Sequence, residues 1–236
     1  MSNNKPNKTT KEINVDVITK SKFAINASPV YISDNMTGKM AGFPSISTSV
    51  LLNKICQQRC KNVNSICSHC FAVATVSRYS TLEKHLSNNT KVLTGKRLDI
   101  DQLPKLSFAV NMCRLESFGD LNDVYQVENY FNLCRKNPHV HFALWTKNPH
   151  LIAMAIYGGL TEKPENLNII YSSPIVNKPE TTIFSRYDFI DKVFTVYDKT
   201  TIASEHININ CGAKSCAGCG LCYFDKTVKT ISEQLK

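Results

Sequence analysis

The sequence predicts an α/β fold, in the form of a partial TIM-type (β/α) barrel with a cysteine-rich C-terminal loop. Two observations predict it. Apolar segments of strand length alternate with segments of helical pattern through the middle of the chain, and no glycine-rich nucleotide-binding loop follows any of them. Strands that alternate with helices form parallel sheets. Four to six such units without a nucleotide loop favour a barrel over a doubly wound sheet.

Three regions are expected along the 236 residues. Residues 1–22 are rich in Asn, Lys and Thr, a composition typical of a disordered polar tail. Residues 23–205 are expected to form the barrel domain, which includes a first set of clustered cysteines. Residues 206–236 are expected to form a C-terminal cysteine-cluster segment that packs on the barrel.

The elements of the barrel follow from the spacing of apolar residues. Strands are predicted at residues 29–33, 106–112, 140–145, 167–172 and 192–197. Helices are predicted at residues 120–135 and 148–157, the second with Pro149 in its first turn, where proline is tolerated. A further helix is predicted to begin at Phe71 and to continue towards His85.

The bulk composition narrows the function classes. The N-terminal residues are polar with no apolar run behind them, which is typical of a chain without a signal peptide, and no stretch approaches the length of a membrane helix. We therefore expect a cytoplasmic protein with no membrane partner. Ten cysteines in a reducing compartment indicate metal ligands. The net charge of +9 supports a nucleic-acid partner only weakly, since the basic residues are spread along the chain, and a solvated basic surface is the simpler explanation.

Eight of the ten cysteines fall into two groups of four, and the group nearer the C-terminus, called the second group, is the strongest indication of a metal site. Four cysteines lie within twelve residues, and glycine or alanine fills five of the other positions; the four are Cys211, Cys216, Cys219 and Cys222. Small residues let a short loop wrap closely around a metal centre. The repeated two-residue spacing predicts a 4Fe–4S cluster, since zinc sites more often use two separated pairs. Zinc is the alternative metal, and a disulfide knot is the remaining alternative.

The first cysteine group precedes the helix predicted at Phe71. Its members have gaps of three, six and two residues and are Cys56, Cys60, Cys67 and Cys70. Two complete groups predict two closed clusters that transfer electrons or stabilise the fold. Alternatively, ligands from both groups share one cluster. The sequence thus predicts one or two 4Fe–4S clusters.

Polar residues at the ends of the predicted strands indicate a pocket. The pocket candidates are Arg114 and Asp120, after the strand predicted at 106–112, and Lys147, after the strand at 140–145. In parallel barrels the loops that follow the strands carry the site. The alternative is loop solvation or helix capping, with Asp120 as a cap of the helix that it precedes.

Several of these stretches occur in the order found in a known family. A cysteine group that ends in Cys-x-x-Cys-Phe-Ala is followed by an Arg-x-x-x-x-Gly-Asp loop, an aromatic-Thr-Lys strand end and a C-terminal cysteine cluster. From Gly38 to Cys222 the chain resembles the phage protein family called gene product 88, which is distantly similar to radical S-adenosylmethionine enzymes.

The resemblance implies a radical-enzyme-like barrel that binds iron–sulfur clusters in the host cytoplasm. Residue by residue it points to both cysteine groups and to Phe71, Arg114, Gly119, Asp120, Trp145, Thr146 and Lys147. S-adenosylmethionine is a further implied cofactor. Against it, six residues separate Cys60 from Cys67, and no Gly-Gly-Glu motif follows the next strand.

Three functions remain open from the sequence. The first is an iron–sulfur protein with a redox or structural role, whose redox partner or small-molecule substrate the sequence does not identify. The second is an atypical radical S-adenosylmethionine enzyme. The third is a zinc-stabilised nucleic-acid-binding protein.

Overall fold

The computed structural model describes residues 20–235. The predicted tail at 1–22 lies outside this range except for residues 20–22. Of these, Ser21 donates a hydrogen bond from its hydroxyl to the Asp34 carboxylate at 2.5 Å.

The core of the protein is a six-stranded parallel sheet in which the strand order follows the chain order. The strands are β1 (Ser45–Ile46), β2 (Met112–Leu115), β3 (His141–Thr146), β4 (Leu167–Ser172), β5 (Lys192–Tyr197) and β6 (Thr230–Gln234). Within residues 20–235 the sheet is open, with β1 at one edge and β6 at the other. The predicted α/β class with a parallel sheet is confirmed.

Eight helices connect or flank the strands in the described range. They are α1 (Lys54–Arg59), α2 (Phe71–Arg78), α3 (Ser80–Leu93), α4 (Val124–Lys136), α5 (Pro149–Tyr157), α6 (Ile183–Arg186), α7 (Lys199–Ser204) and α8 (Cys216–Cys219). Short 3-10 turns lie at Gly38–Met40, Ile66–His69 and Ile100–Gln102. None of these helices is both long and apolar enough to cross a lipid bilayer.

The two faces of the sheet are covered differently. Parallel connections are right-handed, so a sequential strand order favours one face for the connecting helices. On that outer face, Leu115, Phe142 and Ile169 pack in one core with residues of α4 and α5. The inner face carries Met112, Ala143, Ile170, Phe194 and Ile231. It is covered by the segment that contains the second cysteine group.

One predicted strand was wrong and changes the position of a site residue. Residues 106–112 do not form a strand, because a turn from Ser107 to Val110 leaves the Phe108 side chain 80% exposed. The strand β2 begins only at Met112. Arg114 therefore lies inside the strand rather than in the loop after it, and its side chain points to the inner face.

The other predictions differ less from the structure. The strands at 167–172 and 192–197 are confirmed residue for residue, and that at 140–145 shifts by one residue. The predicted strand at 29–33 is only an isolated bridge at Ser33. The helix predicted from Asp120 begins at Val124 and is capped by Asp123, whose carboxylate accepts from Gln126 N–H. The helix predicted from Phe71 to His85 is divided at Tyr79.

Candidate functional site

The four cysteines of the second group line one small pocket. The pocket is formed where the β5–β6 connection turns back over the inner face, and Lys39, Leu221 and Tyr223 complete its wall. The short helix α8 ends at Gly220, which has a φ of 65° and a Phe224 ring that leaves no room for a Cβ atom. This left-handed turn brings Cys222 back towards Cys216.

Two cations stand beside these thiols. The Lys39 ammonium lies 3.7 Å from Cys211 Sγ and donates to the Cys211 carbonyl at 2.7 Å and to Glu233 at 2.8 Å. Arg114 is the second cation. Burial raises the pKa of Cys216, and the Arg114 and Lys39 charges act against that rise. Burial raises the pKa of Cys222 to about 12, again with Arg114 opposing it. The two cations therefore reduce, without cancelling, the penalty that burial places on thiolates in this pocket.

Arg114 itself has incomplete bonding. Its guanidinium stacks over the Trp145 ring, with 4.2 Å between the guanidinium carbon and the ring centroid. The Arg114 Nε and Trp145 Nε1 atoms are both buried, and neither has a hydrogen-bond partner among residues 20–235. No acidic residue of that range forms an ion pair with Arg114. Arg114 as a whole is partly buried, and a terminal nitrogen of its guanidinium donates a weak hydrogen bond to Met40 Sδ at 3.7 Å. A partly buried cation without a counter-ion is a favourable neighbour for an anion.

The first cysteine group lies at the carboxyl edge of the sheet, in the connection after β1. Cys56 and Cys60 occupy the same face of α1 and its C-cap, one turn apart. Cys67 lies in a 3-10 turn, and Cys70 is the N-cap residue of α2. This loop is fixed to the end of β4, since Ile66 N–H donates to the Pro174 carbonyl at 2.8 Å.

The thiols of the first group interact with one another. Burial, together with the neighbouring Cys70 and Cys67 thiols, raises the pKa of Cys60. Burial, Asp120 and Cys67 raise the pKa of Cys56. Lys147 opposes both shifts. Cys56 is the most buried of the four and packs against Val50, Ala72 and Val76.

Asp120 joins this group to the strands. It accepts hydrogen bonds from Arg59 of α1 at 3.1 Å, from the Thr146 hydroxyl at 2.5 Å and from the Lys147 N–H at 3.0 Å. Arg59 also donates to the Lys147 carbonyl at 2.6 Å. Asp120 is buried and its oxygens are engaged in these contacts, so it ties α1 to the ends of β2 and β3.

The three pocket candidates therefore do not converge. Arg114 lies at the second cysteine group, whereas Asp120 and Lys147 lie at the first. The Arg-x-x-x-x-Gly-Asp segment at β2 and the aromatic-Thr-Lys segment at the end of β3 nevertheless make two contacts. Arg114 stacks on Trp145, and Asp120 accepts a hydrogen bond from the Thr146 hydroxyl. Gly119 also has a packing reason, since a Cβ atom there would lie 2.6 Å from Glu116 Oε2 and 2.7 Å from the Thr48 carbonyl.

Sequence reasoning missed several residues at these sites. Lys39 and Glu233 come from segments without any motif, and only the tertiary fold brings them to Cys211. Glu116 is a second omission. It has a φ of 58° at the end of β2, is buried, and accepts hydrogen bonds from Thr48, Gln126 and Tyr130. Burial raises the pKa of Glu116 to about 8.

The two cysteine groups can be compared with the requirements of a single metal ion and of an iron–sulfur cluster. Among residues 20–235, no three cysteine, histidine or carboxylate side chains stand at the spacing of a single bound metal ion. Soft thiolate donors of this number suit an iron–sulfur cluster or zinc.

Comparison with known proteins identifies one family. The family model described as gene product 88 matches residues 5–230. Comparison with curated proteins and with solved structures gives no significant match.

Proposed function

This chain belongs to the gene product 88 family, and on that premise we propose that it is an iron–sulfur protein of the phage type. Its second cysteine group would hold a 4Fe–4S cluster through Cys211, Cys216, Cys219 and Cys222. When bound, such a cluster supplies one-electron transfer or a rigid cross-link. A cytoplasmic compartment, where thiols stay reduced, is part of the proposal.

The observation that carries the proposal is that four thiols line one pocket and that Arg114, which forms no ion pair among residues 20–235, acts on two of them, Cys216 and Cys222. A cluster with four thiolate ligands carries net negative charge, and that charge would neutralise Arg114, whereas Lys39 is already paired with Glu233. A neutral disulfide knot would leave Arg114 without a counter-ion.

The protein residues have defined tasks in this proposal. Arg114 and Lys39 would favour the thiolate forms and stabilise the reduced, more negative state. Trp145 and Phe194, whose ring centroids are 4.5 Å apart, would shield that side of the centre from water. Backbone contacts fix the loop, since Cys211 N–H donates to the Ser232 carbonyl and Asn168 donates to the Cys222 carbonyl.

A second candidate function rests on the position of the first cysteine group. It follows β1 at the carboxyl edge of a sequential, open parallel sheet, where barrel enzymes carry their sites. We therefore propose the sheet as a partial TIM-type barrel related to radical enzymes. The first group would then be a second cluster site, with S-adenosylmethionine as cofactor and Lys147 as a neighbouring cation.

The first test is metal and acid-labile sulfide analysis on protein purified without oxygen. We expect about four irons and four sulfides per cluster. Replacing Cys216 and Cys219 by Ser should remove one cluster's worth of both, whereas the control Cys134→Ala, which removes a core thiol, should remove none. Zinc without sulfide would refute the proposal.

The second test separates the two cysteine groups. The pair Cys67→Ser and Cys70→Ser should remove a second cluster's worth of iron if both groups bind one. Reduced protein incubated with S-adenosylmethionine should form 5′-deoxyadenosine, and the same pair should abolish this product. No product from reduced, iron-replete protein would remove the radical-enzyme candidate and leave the electron-transfer role.

A further inference from the structure

The positive charge of this protein is concentrated in one segment. Residues 35–98 contain a single acidic residue, Glu83, and nine basic ones. The nine are Lys39, Lys54, Arg59, Lys61, Arg78, Lys84, Lys91, Lys96 and Arg97. The segment therefore has a formal net charge of +8 of the chain's total of +9. The rest of the chain is nearly neutral.

Most of these cations face solvent without a partner. Three of the nine form ion pairs, namely Lys39, Arg59 and Arg97. The other six are exposed and have no acidic partner among residues 20–235. The one carboxylate of the segment is turned away from them, because Glu83 Oε1 accepts from the Ser49 and Ser87 hydroxyls at 2.6 Å each.

The helices of the segment present their outer sides together. α1, α2 and α3 pack around one small core that includes Cys56, Val76 and Leu86. Residues on the sides that face away from this core are exposed. We call these sides, together with the residues directly after α1 and after α3, the α1–α3 face. On α3, Lys84 and Lys91 lie seven residues apart and thus on the same side.

Aromatic rings are exposed within the same segment. The Phe71 side chain at the start of α2 is 64% exposed, and Tyr79 between α2 and α3 is 62% exposed. Tyr79 directly follows the exposed Arg78. Exposed rings among unpaired cations are the combination that binds single-stranded nucleic acid, because phosphates meet the cations and bases stack on the rings.

We propose that the α1–α3 face binds single-stranded nucleic acid. Its six unpaired cations would contact the phosphate backbone, and Phe71 and Tyr79 would each stack on a base. An acidic protein would also match the charge, but it would not require exposed rings, whereas every base offers a flat face for them. The inference does not depend on a bound cluster.

The test uses a fluorescently labelled oligothymidylate of about 12 nucleotides, within the usual site size, and the metal-replete protein. Affinity is measured by anisotropy over a range of salt concentrations. Replacing Lys54 and Lys61 by Gln should lower the slope of log affinity against log salt by about 1.4, or about 0.7 per phosphate contact. The control Lys226→Gln with Lys229→Gln makes the same charge change at the amino edge of the sheet and should leave the slope unchanged.

The aromatic contribution is tested separately. Tyr79→Ala should weaken binding by roughly 5- to 100-fold with no change in the salt slope. Phe108→Ala, which removes an 80% exposed ring outside the segment, should have no effect. No binding at low salt, equal losses for the two lysine pairs, or binding of an acidic flavodoxin in place of the oligonucleotide would overturn the proposal. Iron analysis of each variant keeps this result separate from the cluster assignment.

Discussion

The buried Glu116 should make the stability of this protein depend on pH. Its carboxyl group lies under the β1–α1 loop, where the Thr48 hydroxyl, Gln126 and Tyr130 donate hydrogen bonds to it. Those donors favour the ionised form, but burial outweighs them and raises its pKa from 4.5 to about 8. No cation is paired with this carboxylate among residues 20–235.

The size of the effect follows from the two pKa values. Because the folded pKa lies above the unfolded one, the folded state holds this proton more tightly. The stabilisation is complete below pH 4.5 and is lost as the pH rises through about 8. The difference corresponds to about 5 kcal/mol of unfolding free energy, a large part of the typical total of about 5–15 kcal/mol.

The assay is urea unfolding of wild type and Glu116→Gln from pH 5 to pH 9, followed by fluorescence of Trp145, the chain's one tryptophan. The amide mimics the protonated acid, so the variant should lack this part of the pH dependence. As the pH rises from 5 to 9, the unfolding free energy of wild type should fall relative to that of the variant by up to about 5 kcal/mol. Subtracting the two curves cancels the titration of the thiols.

The control for this experiment is Glu162→Gln, which removes an exposed carboxylate. Its curve should run parallel to that of wild type at every pH. If the amide group introduced by Glu116→Gln packs poorly against the Thr48 N–H, the variant loses unfolding free energy by the same amount at every pH, and the pH dependence is unaffected. Parallel curves for Glu116→Gln and wild type would refute the reasoning.

Three further substitutions test the contacts at the two sites. Arg114→Gln removes the cation beside the second cysteine group and should speed iron loss to a chelator by about 10- to 100-fold; unchanged loss would exclude a role for its charge. Asp120→Asn leaves Arg59 without its partner and should lower the unfolding free energy by about 2–4 kcal/mol, measured by urea unfolding. Gly119→Ala places a Cβ against backbone and carboxylate oxygen and should cost about 1–3 kcal/mol. The control Gly218→Ala meets no atom within 4 Å and should cost far less in the same urea unfolding assay.

The parts of the fold that could be predicted were those with a continuous apolar pattern. The strands at 167–172 and 192–197 are buried along their length, and β-branched or aromatic residues mark both. The two edge strands have no such pattern. β1 has only two residues, and β6 reads Thr-Ile-Ser-Glu-Gln, which alternates too weakly to distinguish it from a loop.

The misplaced β2 shows why the candidate site was only partly predictable. Residues 106–112 are more apolar than Met112–Leu115, yet they turn at the surface while the shorter segment enters the sheet. With the strand placed too early, Arg114 was assigned to a loop pocket with Asp120. Local pattern does not specify which of two adjacent segments pairs with His141–Thr146, because tertiary packing decides it.

The cysteines were the reverse case. Their spacing predicts two groups of four, and the members of each group are neighbours in the fold because short loops keep them together. Spacing along the chain could not show which other residues lie beside the thiols. Lys39 reaches Cys211 across 172 residues and Glu233 across 194.

Those long separations have a consequence for the order of assembly. The second cysteine pocket is closed by Lys39 from before β1 and is held by β6, so it combines residues from both ends of the sheet. During synthesis the early elements emerge first and can begin to fold. The loop-closure entropy for contacts of this range is met only late. We therefore expect the pocket to be among the last parts of the chain to form. A ligand of the second cysteine group would then bind only after the whole sheet, from β1 to β6, has assembled.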